Sequence, residues 1–312
     1  MKIRTALAIL LVVTGVSLVS AVGVGSPSAA ASGPCGTRSV STTQYSHVIW
    51  VWMENKSYGS IVNSSAAPYE NALAKACGLA TNYHNITHPS LPNYIGATSG
   101  LSLSALSRFA TDCSPSTTCS TSSKSVFAQT SPRYRAYEES MPSNCYRTNA
   151  TPYAVRHNPP PYYSGLASCK YFDVPYTKLA TDLSNNPLPK FAFVTPNLCH
   201  DTHDCSVATG DQWLQANLPP IFNSAAYRAG TVVLFLTWDE GSGGTSKTCA
   251  SNTTDVGCHV ANIVVSPSTP PGTRSTLVLS HYSMLRTTEQ LLGVPALGNA
   301  ATARGMLAAF NL

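Results

Sequence analysis

Four short runs of almost uninterrupted apolar residues constrain the fold of this chain more than any other feature of its sequence. They cover residues 47–53 (HVIWVWM), 191–195 (FAFVT), 231–237 (TVVLFLT) and 261–266 (ANIVVS). Runs of this length, rich in β-branched and aromatic residues, predict strands buried on both faces. Helical spacing is found between and after them, at residues 68–78, 90–106, 175–183, 211–222 and 283–292. The alternation predicts an α/β fold with a mostly parallel central sheet and helices on both faces.

The rest of the chain fits one domain with a large insertion. Residues 112–171 are rich in Ser, Thr, Pro, Tyr and Cys, and we interpret them as a loop-rich excursion that forms part of a substrate face. No internal repeat and no clear linker interrupts the sequence. Hydrophobic residues make up 43% of the 312 residues and charged residues 11%, which excludes a disordered polar chain. We therefore predict a single domain over residues 32–312.

The N-terminus has the organisation of an export signal. Lys2 and Arg4 precede an apolar stretch over residues 6–19, and small residues follow, ending in Ala29-Ala30-Ala31. This order predicts a secretory signal peptide over residues 1–31, with a membrane anchor as the competing interpretation. No later segment approaches the roughly 20 apolar residues needed to span a bilayer. The prediction is a secreted, extracellular protein without a stable membrane span.

The cysteines agree with export. There are ten, an even number, and all follow the signal segment. In an oxidising compartment they predict five disulfides. Three pairs are close in sequence, Cys113–Cys119, Cys199–Cys205 and Cys249–Cys258, and the four that remain allow three connectivities: Cys35, Cys77, Cys145 and Cys169. The formal charge of +5 has no run of Lys or Arg behind it, so nucleic acid is not an expected partner.

Acidic and histidine residues collect just after the predicted strands. Glu54 and Asn55 follow the first strand, and Asp239 and Glu240 follow the third. The second strand is followed by a cysteine-bounded segment that contains His200, Asp201, His203 and Asp204, and His281 comes after the fourth strand. Because the carboxyl ends of parallel strands meet at one edge of a sheet, these side chains predict a divalent cation site. The alternatives are a solvated turn at 239–241 and a structural zinc knot between Cys199 and Cys205.

A candidate nucleophile lies in the segment THPSLPNY at residues 87–94. Ser90 opens a predicted helix, where the helix dipole and free backbone amides favour a bound phosphate. A metal ion can turn such a hydroxyl into a nucleophile near neutral pH. Asn93 lies one turn further on and is a candidate for binding a phosphoryl oxygen. Ser90 could instead be an ordinary helix cap, and His88 is as compatible with a capping or core role as with acid–base chemistry.

Five blocks of sequence, in order, resemble the phosphoesterase family of acid phosphatases and bacterial phospholipases C, within the alkaline-phosphatase-like superfamily. The blocks are HVIWVWMENKSY, APYENALAKACGLATNYHNITHPSLPNYIGATSG, FVTPNLCHDTHDCSVATGDQWL, TVVLFLTWDEG and SHYSMLRTTEQLLG. They run from residue 47 to residue 293 and cover most of the predicted domain. The resemblance implies an alkaline-phosphatase-like fold and a hydrolase that acts on phosphoric esters.

The resemblance also implies roles for individual residues. It makes Ser90 the nucleophile and Asn93 a residue that contacts phosphate, and it makes His157, in the segment RHNPP, a candidate for protonating the leaving group or for binding phosphate. Beyond the resemblance, we predict His88 as a substrate-binding residue and His203 as the other candidate proton donor. The implied metal ligands are Glu54, Asn55, Asp201, Asp204, Asp239, Glu240 and His281. The ion could be Zn, Mg, Ca or Mn, since oxygen-rich sites accept all four.

These observations together predict a secreted, metal-dependent acid phosphatase that forms a phosphoserine intermediate. Its expected partner is a small phosphate ester or a phospholipid head group. The first alternative is a phosphodiesterase of the phospholipase C type. An alternative of another class is a non-catalytic exported protein whose acidic cluster binds metal or carbohydrate.

Overall fold

The computed structural model describes residue 1 and residues 33–39, 44–185, 188–244 and 246–312. Residues 33–312 form one compact unit. Apart from Met1, the predicted signal peptide and its cleavage site lie outside the described residues, so both stay predictions. Within the described part of the chain, no helix combines the length and the apolar character needed to cross a bilayer.

A single nine-stranded sheet organises the unit, in the order β4-β3-β5-β1-β6-β7-β2-β8, with β9 paired to β2. All of these strands run in one direction except β7, which is antiparallel to both of its neighbours. The strands are β1 His47–Met53, β2 Gly78–His84, β3 Tyr134–Glu138, β4 Asp173–Pro175, β5 Phe191–Thr195, β6 Val232–Trp238, β7 His259–Val265, β8 Thr273–Ser275 and β9 Leu279–Ser280. The predicted α/β class with a mostly parallel sheet is confirmed.

Twelve α-helical segments are found among the described residues, and most are short. They are α1 Tyr58–Ile61, α2 Pro68–Ala76, α3 Ser90–Ser99, α4 Leu103–Leu106, α5 Val126–Thr130, α6 Cys169–Phe172, α7 Lys178–Asn185, α8 Val207–Asn217, α9 Pro219–Phe222, α10 Ala225–Arg228, α11 His281–Leu292 and α12 Leu307–Phe310. The core consists of the central strands and the helices that cover them. Strand β1, with burial at every position, lies in its middle between β5 and β6.

The four predicted strands correspond to β1, β5, β6 and β7, but two features of the sheet differ from expectation. The sequence pattern missed the other five strands, because none of them contains a long continuous apolar run. The predicted direction of β7 was also wrong, because β7 is antiparallel to its neighbours and its carboxyl end lies at the opposite edge of the sheet. His281 reaches the site edge through the short strand β9, which is parallel to β2.

The helix predicted over residues 90–106 is broken in two. Gly100 ends α3 with a left-handed backbone (φ 70°), and its amide bonds to the Gly96 carbonyl. A Cβ at Gly100 would run into the carbonyl of Leu297. Only glycine therefore fits this turn without displacing its neighbour.

Five disulfides are present, as the cysteine count predicts. The three short-range pairs are those expected from the sequence, and the remaining four cysteines pair as Cys35–Cys77 and Cys145–Cys169. Cys145–Cys169 and Cys113–Cys119 close loops inside the 112–171 segment. This segment also contains α5 and β3, so it contributes a strand to the sheet as well as a surface excursion.

Candidate active site

The neighbouring parallel strands β5, β1 and β6 end at one edge of the sheet and bring three acidic residues together. Glu54 follows β1 and Asp239 follows β6, whereas Asp201 lies in the loop after β5. Backbone hydrogen bonds continue past the strand ends, from the Asp239 amide to the Met53 carbonyl (3.0 Å) and from the Glu54 amide to the Asp201 carbonyl (2.7 Å). The three acidic side chains that the sequence places after these strands therefore lie at the same edge of the sheet, as predicted from the strand ends.

Ser90 is the first residue of α3, and its hydroxyl points at the carboxylates. The side chain is only 2% exposed, and Oγ donates a hydrogen bond to Glu54 Oε2 at 3.1 Å. It also lies near enough to the Asp239 carboxyl group to lower the pKa of that group. The Ser90 hydroxyl therefore lies beside carboxyl groups from two strand ends.

Glu54 and Asp201 are joined by a histidine. His157 Nε2 lies 3.3 Å from Glu54 Oε1, and its Nδ1 lies 3.2 Å from Asp201 Oδ2. The donor atoms of these three residues all lie within 4.8 Å of one another. The His157 ring stacks on Tyr94 (5.5 Å between centroids, 6° between planes), and the Tyr94 hydroxyl donates to Glu54 Oε1. A buried imidazole between two carboxylates is better suited to hold an ion than to protonate a leaving group, so the role predicted for His157 changes.

Burial makes these acidic groups unusual. Loss of water raises the pKa of Glu54 and Asp239 well above the ordinary range, and nearby carboxylates raise it further. Burial raises the pKa of Asp201 to about 8. In contrast, burial, with help from the Arg156 charge, lowers the pKa of the His157 imidazole. Such a group of acids is costly to ionise unless a cation lies among them.

Two oxygen atoms support a cation at this place. Among the residues that the structure describes, nothing bonds to the buried atoms Asn55 Oδ1 and Asp239 Oδ2. The Asn55 backbone is left-handed (φ 49°), and its amide donates to Asp239 Oδ1 at 3.0 Å. Carboxylate and amide oxygens suit Mg, Ca or Mn, and carboxylates with an imidazole suit Zn. The donor set therefore fits a divalent metal ion.

Asn93 does not have the free amide that its predicted role requires. Its Oδ1 accepts the amides of Ile86 (2.8 Å) and Thr87 (3.0 Å), and its Nδ2 donates to the carbonyls of Thr87 (2.8 Å) and Pro89 (3.1 Å). The side chain is fully buried. Asn93 therefore holds the loop before Ser90 in place instead of contacting a phosphoryl oxygen.

The start of α3 also differs from the prediction that its backbone amides are free to bind phosphate. The Leu91 amide donates to Asp112 Oδ1 at 2.9 Å. Asp112 has a left-handed backbone (φ 52°), and burial raises the pKa of its carboxyl group. The first free amide of the helix is therefore already capped by a side chain.

Glu240 and His281 reach the site but support it from outside. Glu240 Oε2 lies 2.7 Å from His88 Nδ1 and 3.4 Å from Asn93 Nδ2, so it fastens the Ser90 loop. His281 Nε2 lies 2.7 Å from the Asp239 carbonyl, and its Nδ1 lies 3.1 Å from the Tyr83 hydroxyl. Its two neutral partners hold His281 against the end of β6, whereas the partners of His157 are themselves carboxylates that could share an ion. The metal-ligand role of His281 stays a prediction.

His203 and Asp204 form a partly exposed pair at the rim. Asp204 Oδ1 lies 2.6 Å from His203 Nδ1, and the Asp204 side chain is 52% exposed. Asp204 therefore faces solvent and His203, whereas the proposed ion lies among the buried carboxylates. Arg156 Nη2 lies 3.1 Å from His203 Nε2, and the rings of His203 and His157 are 5.7 Å apart.

Three residues of the site were missed by the sequence reasoning: Arg156, Tyr94 and Asp112. Arg156 precedes His157, and an arginine beside a candidate histidine in a phosphate-ester enzyme was a usable signal. Tyr94 follows Asn93 in the Ser90 motif and resembles a core aromatic in the sequence. Asp112 lies at the start of the excursion, and no local pattern connects it with α3.

Comparisons with known proteins agree with this geometry. A model of the Phosphoesterase family matches residues 50–295. A phosphatidylinositol-3-phosphatase of Mycobacterium tuberculosis is 30% identical over 264 residues, which cover 83% of this chain and 81% of that protein. An acid phosphatase of Aspergillus fumigatus is 28% identical over 265 residues, which cover 80% of this chain and 55% of that protein. This chain thus spans about half the length of the fungal relative.

A solved structure carries the same fold. A protein of the alkaline phosphatase superfamily from Vibrio parahaemolyticus superimposes with a TM-score of 0.56 over 88% of this chain and 74% of that chain. At 11% identity, this likeness concerns the fold alone. The family match covers more than half of the sequence and includes every group described above. The chain belongs to the Phosphoesterase family and is a hydrolase that acts on phosphoric esters.

Proposed function

We propose that this protein is an exported, metal-dependent phosphomonoesterase of the acid phosphatase type, with Ser90 as its nucleophile. The environment of the Ser90 hydroxyl carries the proposal, because it is buried and donates to Glu54 Oε2 within range of Asp239. The names of two relatives, acid phosphatase and phosphatidylinositol-3-phosphatase, support a monoester substrate. Five disulfides and the character of residues 1–31 support export.

The groups of the chain itself account for the covalent step. Ser90 Oγ attacks phosphorus, so that an Oγ–P bond forms while the bond from phosphorus to the alcohol oxygen breaks. The hydroxyl proton passes to Glu54 Oε2, which already accepts a hydrogen bond from Ser90 Oγ at an oxygen–oxygen distance of 3.1 Å. The leaving oxygen receives a proton from His203. Water then attacks phosphorus and the Oγ–P bond breaks, so that phosphate is released. His203 takes a proton from the water, and Glu54 Oε2 returns its proton to Ser90 Oγ, which restores all three groups.

A divalent cation, held by Glu54, Asn55, Asp201, Asp239 and His157, would supply positive charge for the phosphoryl oxygens and lower the pKa of the hydroxyl. The unpartnered atoms Asn55 Oδ1 and Asp239 Oδ2 support this ligand set. The set contains both oxygen and nitrogen donors, so Zn, Mg, Ca and Mn are each candidates.

Two further residues are suited to the substrate. The Arg156 guanidinium can bind phosphoryl oxygens in a forked geometry. His203, at the rim beside Arg156, is the histidine of the site with the more accessible ring, at 28% side-chain exposure against 3% for His157. This difference is the reason for assigning the leaving-group proton to His203.

Replacement of the nucleophile tests the proposal. Ser90→Ala is expected to lower kcat/KM for p-nitrophenyl phosphate by at least about 10³-fold. The matched control is Ser125→Ala, since Ser125 is similarly buried and lies at the start of a helix, where its hydroxyl accepts the Ala128 amide. The control is expected to cost about 1 kcal/mol of stability and to keep its activity.

The same assay separates the alternatives. Chelator should abolish hydrolysis, and addition of Zn, Mg, Ca or Mn should restore it and identify the ion. Full activity of folded Ser90→Ala would contradict the assignment of the nucleophile. Faster hydrolysis of bis(p-nitrophenyl) phosphate than of the monoester would favour the phosphodiesterase alternative.

A further inference from the structure

A cleft of about 500 Å³ opens beside the Ser90 loop, and none of the roles described above uses it. Its lining is apolar at Pro92 in α3, at Leu103 and Leu106 in α4, and at Ala110. His88 and Lys247 also line it. The volume lies within the range of small-molecule sites, which is roughly 300–1,000 Å³. The cleft is therefore large enough for a compact organic group.

The cleft adjoins the loop and the helix that carry Ser90. His88, which lines it, lies 2.7 Å from Glu240, and Glu240 in turn contacts Asn93 behind Ser90. Pro92 lies in the first turn of the helix that Ser90 begins. A phosphate ester bound at Ser90 would thus have the cleft next to its alcohol portion.

The walls of the cleft are fastened to each other. Lys247 Nζ donates to the His88 carbonyl at 3.3 Å, and Thr87 Oγ1 donates to the Lys247 carbonyl at 3.0 Å. The Cys249 amide donates to the Ile86 carbonyl at 2.9 Å, and Cys249 is bonded to Cys258. These links tie the segment after Glu240 to the loop before Ser90. A cleft built in this way is largely formed before substrate arrives.

We propose that this cleft is the leaving-group subsite and that it selects phosphate monoesters of aromatic alcohols with one or two rings. The inference rests on the proposed function, because it requires the phosphoryl group to lie at Ser90. An aromatic body fits both sides of the cleft. The apolar side removes its rings from water, and the Lys247 ammonium can lie over the face of a ring. A purely aliphatic alcohol would gain nothing from the Lys247 side.

Substrate selectivity tests the proposal. The measured quantity is kcat/KM for 1-naphthyl phosphate divided by kcat/KM for glycerol 2-phosphate, which has no apolar body. Leu103→Ser is expected to lower this ratio about fivefold, mainly through KM for the aromatic ester. The control is Leu277→Ser, because Leu277 is 37% exposed, Leu103 is 36% exposed, and Leu277 lies outside the cleft. The control should leave the ratio unchanged.

A second variant protects the test against an accidental loss of folding. Ala110→Trp adds bulk at an exposed position of the cleft and should also lower the ratio, with unchanged thermal stability. A ratio that stays constant in both variants overturns the subsite while hydrolysis itself upholds the proposed function. Wild type that prefers octyl phosphate to 1-naphthyl phosphate overturns the aromatic class. Wild type that hydrolyses no monoester overturns the proposed function itself.

Discussion

The carboxylates at the ends of β1, β5 and β6 and a second acidic pair, Glu138 and Asp173, are equally buried but have different neighbours. Glu138 ends β3 and Asp173 begins β4, so the two residues flank the segment closed by Cys145–Cys169. Burial raises the pKa of Asp173 to about 8 and that of Glu138 well above its ordinary range. Both regions thus contain acids that are reluctant to ionise.

The neighbours separate the two regions. Asp173 Oδ2 accepts Asn158 Nδ2 at 2.9 Å, and the same nitrogen donates to the Tyr153 hydroxyl at 3.0 Å. These partners are neutral, and protonated carboxyl groups satisfy them without an ion. Among the described residues, Glu138 Oε1 and Asp173 Oδ1 also lack partners, so an unpartnered oxygen alone does not identify a catalytic site.

The site at Ser90 differs in its chemistry. It adds the Ser90 hydroxyl, which we propose as the nucleophile, at 3.1 Å from Glu54, an imidazole between two carboxylates, and the Arg156 guanidinium at the rim. Burial of acidic residues is thus not enough to identify a candidate catalytic site. A nucleophile and nitrogen ligands must lie in the same space. Glu138 and Asp173 therefore provide internal controls for experiments on Glu54 and Asp201.

The largest expected difference between the two acidic regions is in the activity of variants at Glu54 and Glu138. Glu54→Gln removes the group that accepts the Ser90 proton and offers ligands to a cation, and should lower kcat/KM by at least about 10³-fold. Glu138→Gln, at a similarly buried position, should keep its activity within about twofold. The measurement is steady-state hydrolysis of p-nitrophenyl phosphate at saturating metal. Equal losses in both variants would show that the two regions do not differ in function.

A smaller difference is expected in the pH dependence of stability. The pKa of Asp173 is about 8 in the fold and 3.8 in its ordinary state, so the folded protein holds a proton that the unfolded chain releases. Stability should therefore fall as pH rises from about 4 to about 8, by up to roughly 3 kcal/mol between pH 5 and pH 7. Asp173→Asn should flatten this decline, which thermal unfolding at saturating metal can measure. An unchanged slope would contradict the assignment to Asp173.

The smallest effect is expected from metal binding to the folded protein. A cation at ten times its Kd stabilises the fold by about 1.4 kcal/mol, which raises Tm by about 3 °C for a chain of this size. Asp201→Asn should reduce this shift, whereas Asp173→Asn should retain it. Calorimetric titration of each variant with Zn or Mn is an independent measurement. A shift lost equally in both variants would place the ion elsewhere.

Much of the active site could be predicted because strand ends are local features. The apolar run of β1 ends directly before Glu54 and that of β6 ends close before Asp239, and parallel pairing brings such ends together. The three short disulfides were also predictable, since each joins cysteines at most nine residues apart. The family resemblance made Ser90 the candidate nucleophile, a role that spacing alone could not distinguish from that of an ordinary helix cap.

Other roles depended on contacts between distant segments. Asn93 is a plausible phosphate ligand in the sequence, yet its amide is fully used by the loop at residues 86–89. His281 lies 42 residues from Asp239 in sequence and bonds to its carbonyl. The reversed direction of β7 follows from its antiparallel pairing with β6 and β2, and the residues within β7 do not predict it.

The sequence by itself determined the class of fold, the cysteine pairs that are close in the chain, and the chemical types of residue at the site, because these depend on periodicity and on short separations. Only the tertiary structure decided which of those residues have free atoms. A polar side chain binds either a ligand or its own protein, and the long-range hydrogen bonds of the fold determine which. Those bonds engage Asn93, Glu240 and His281, and leave Asn55 Oδ1 and Asp239 Oδ2 without partners among the described residues.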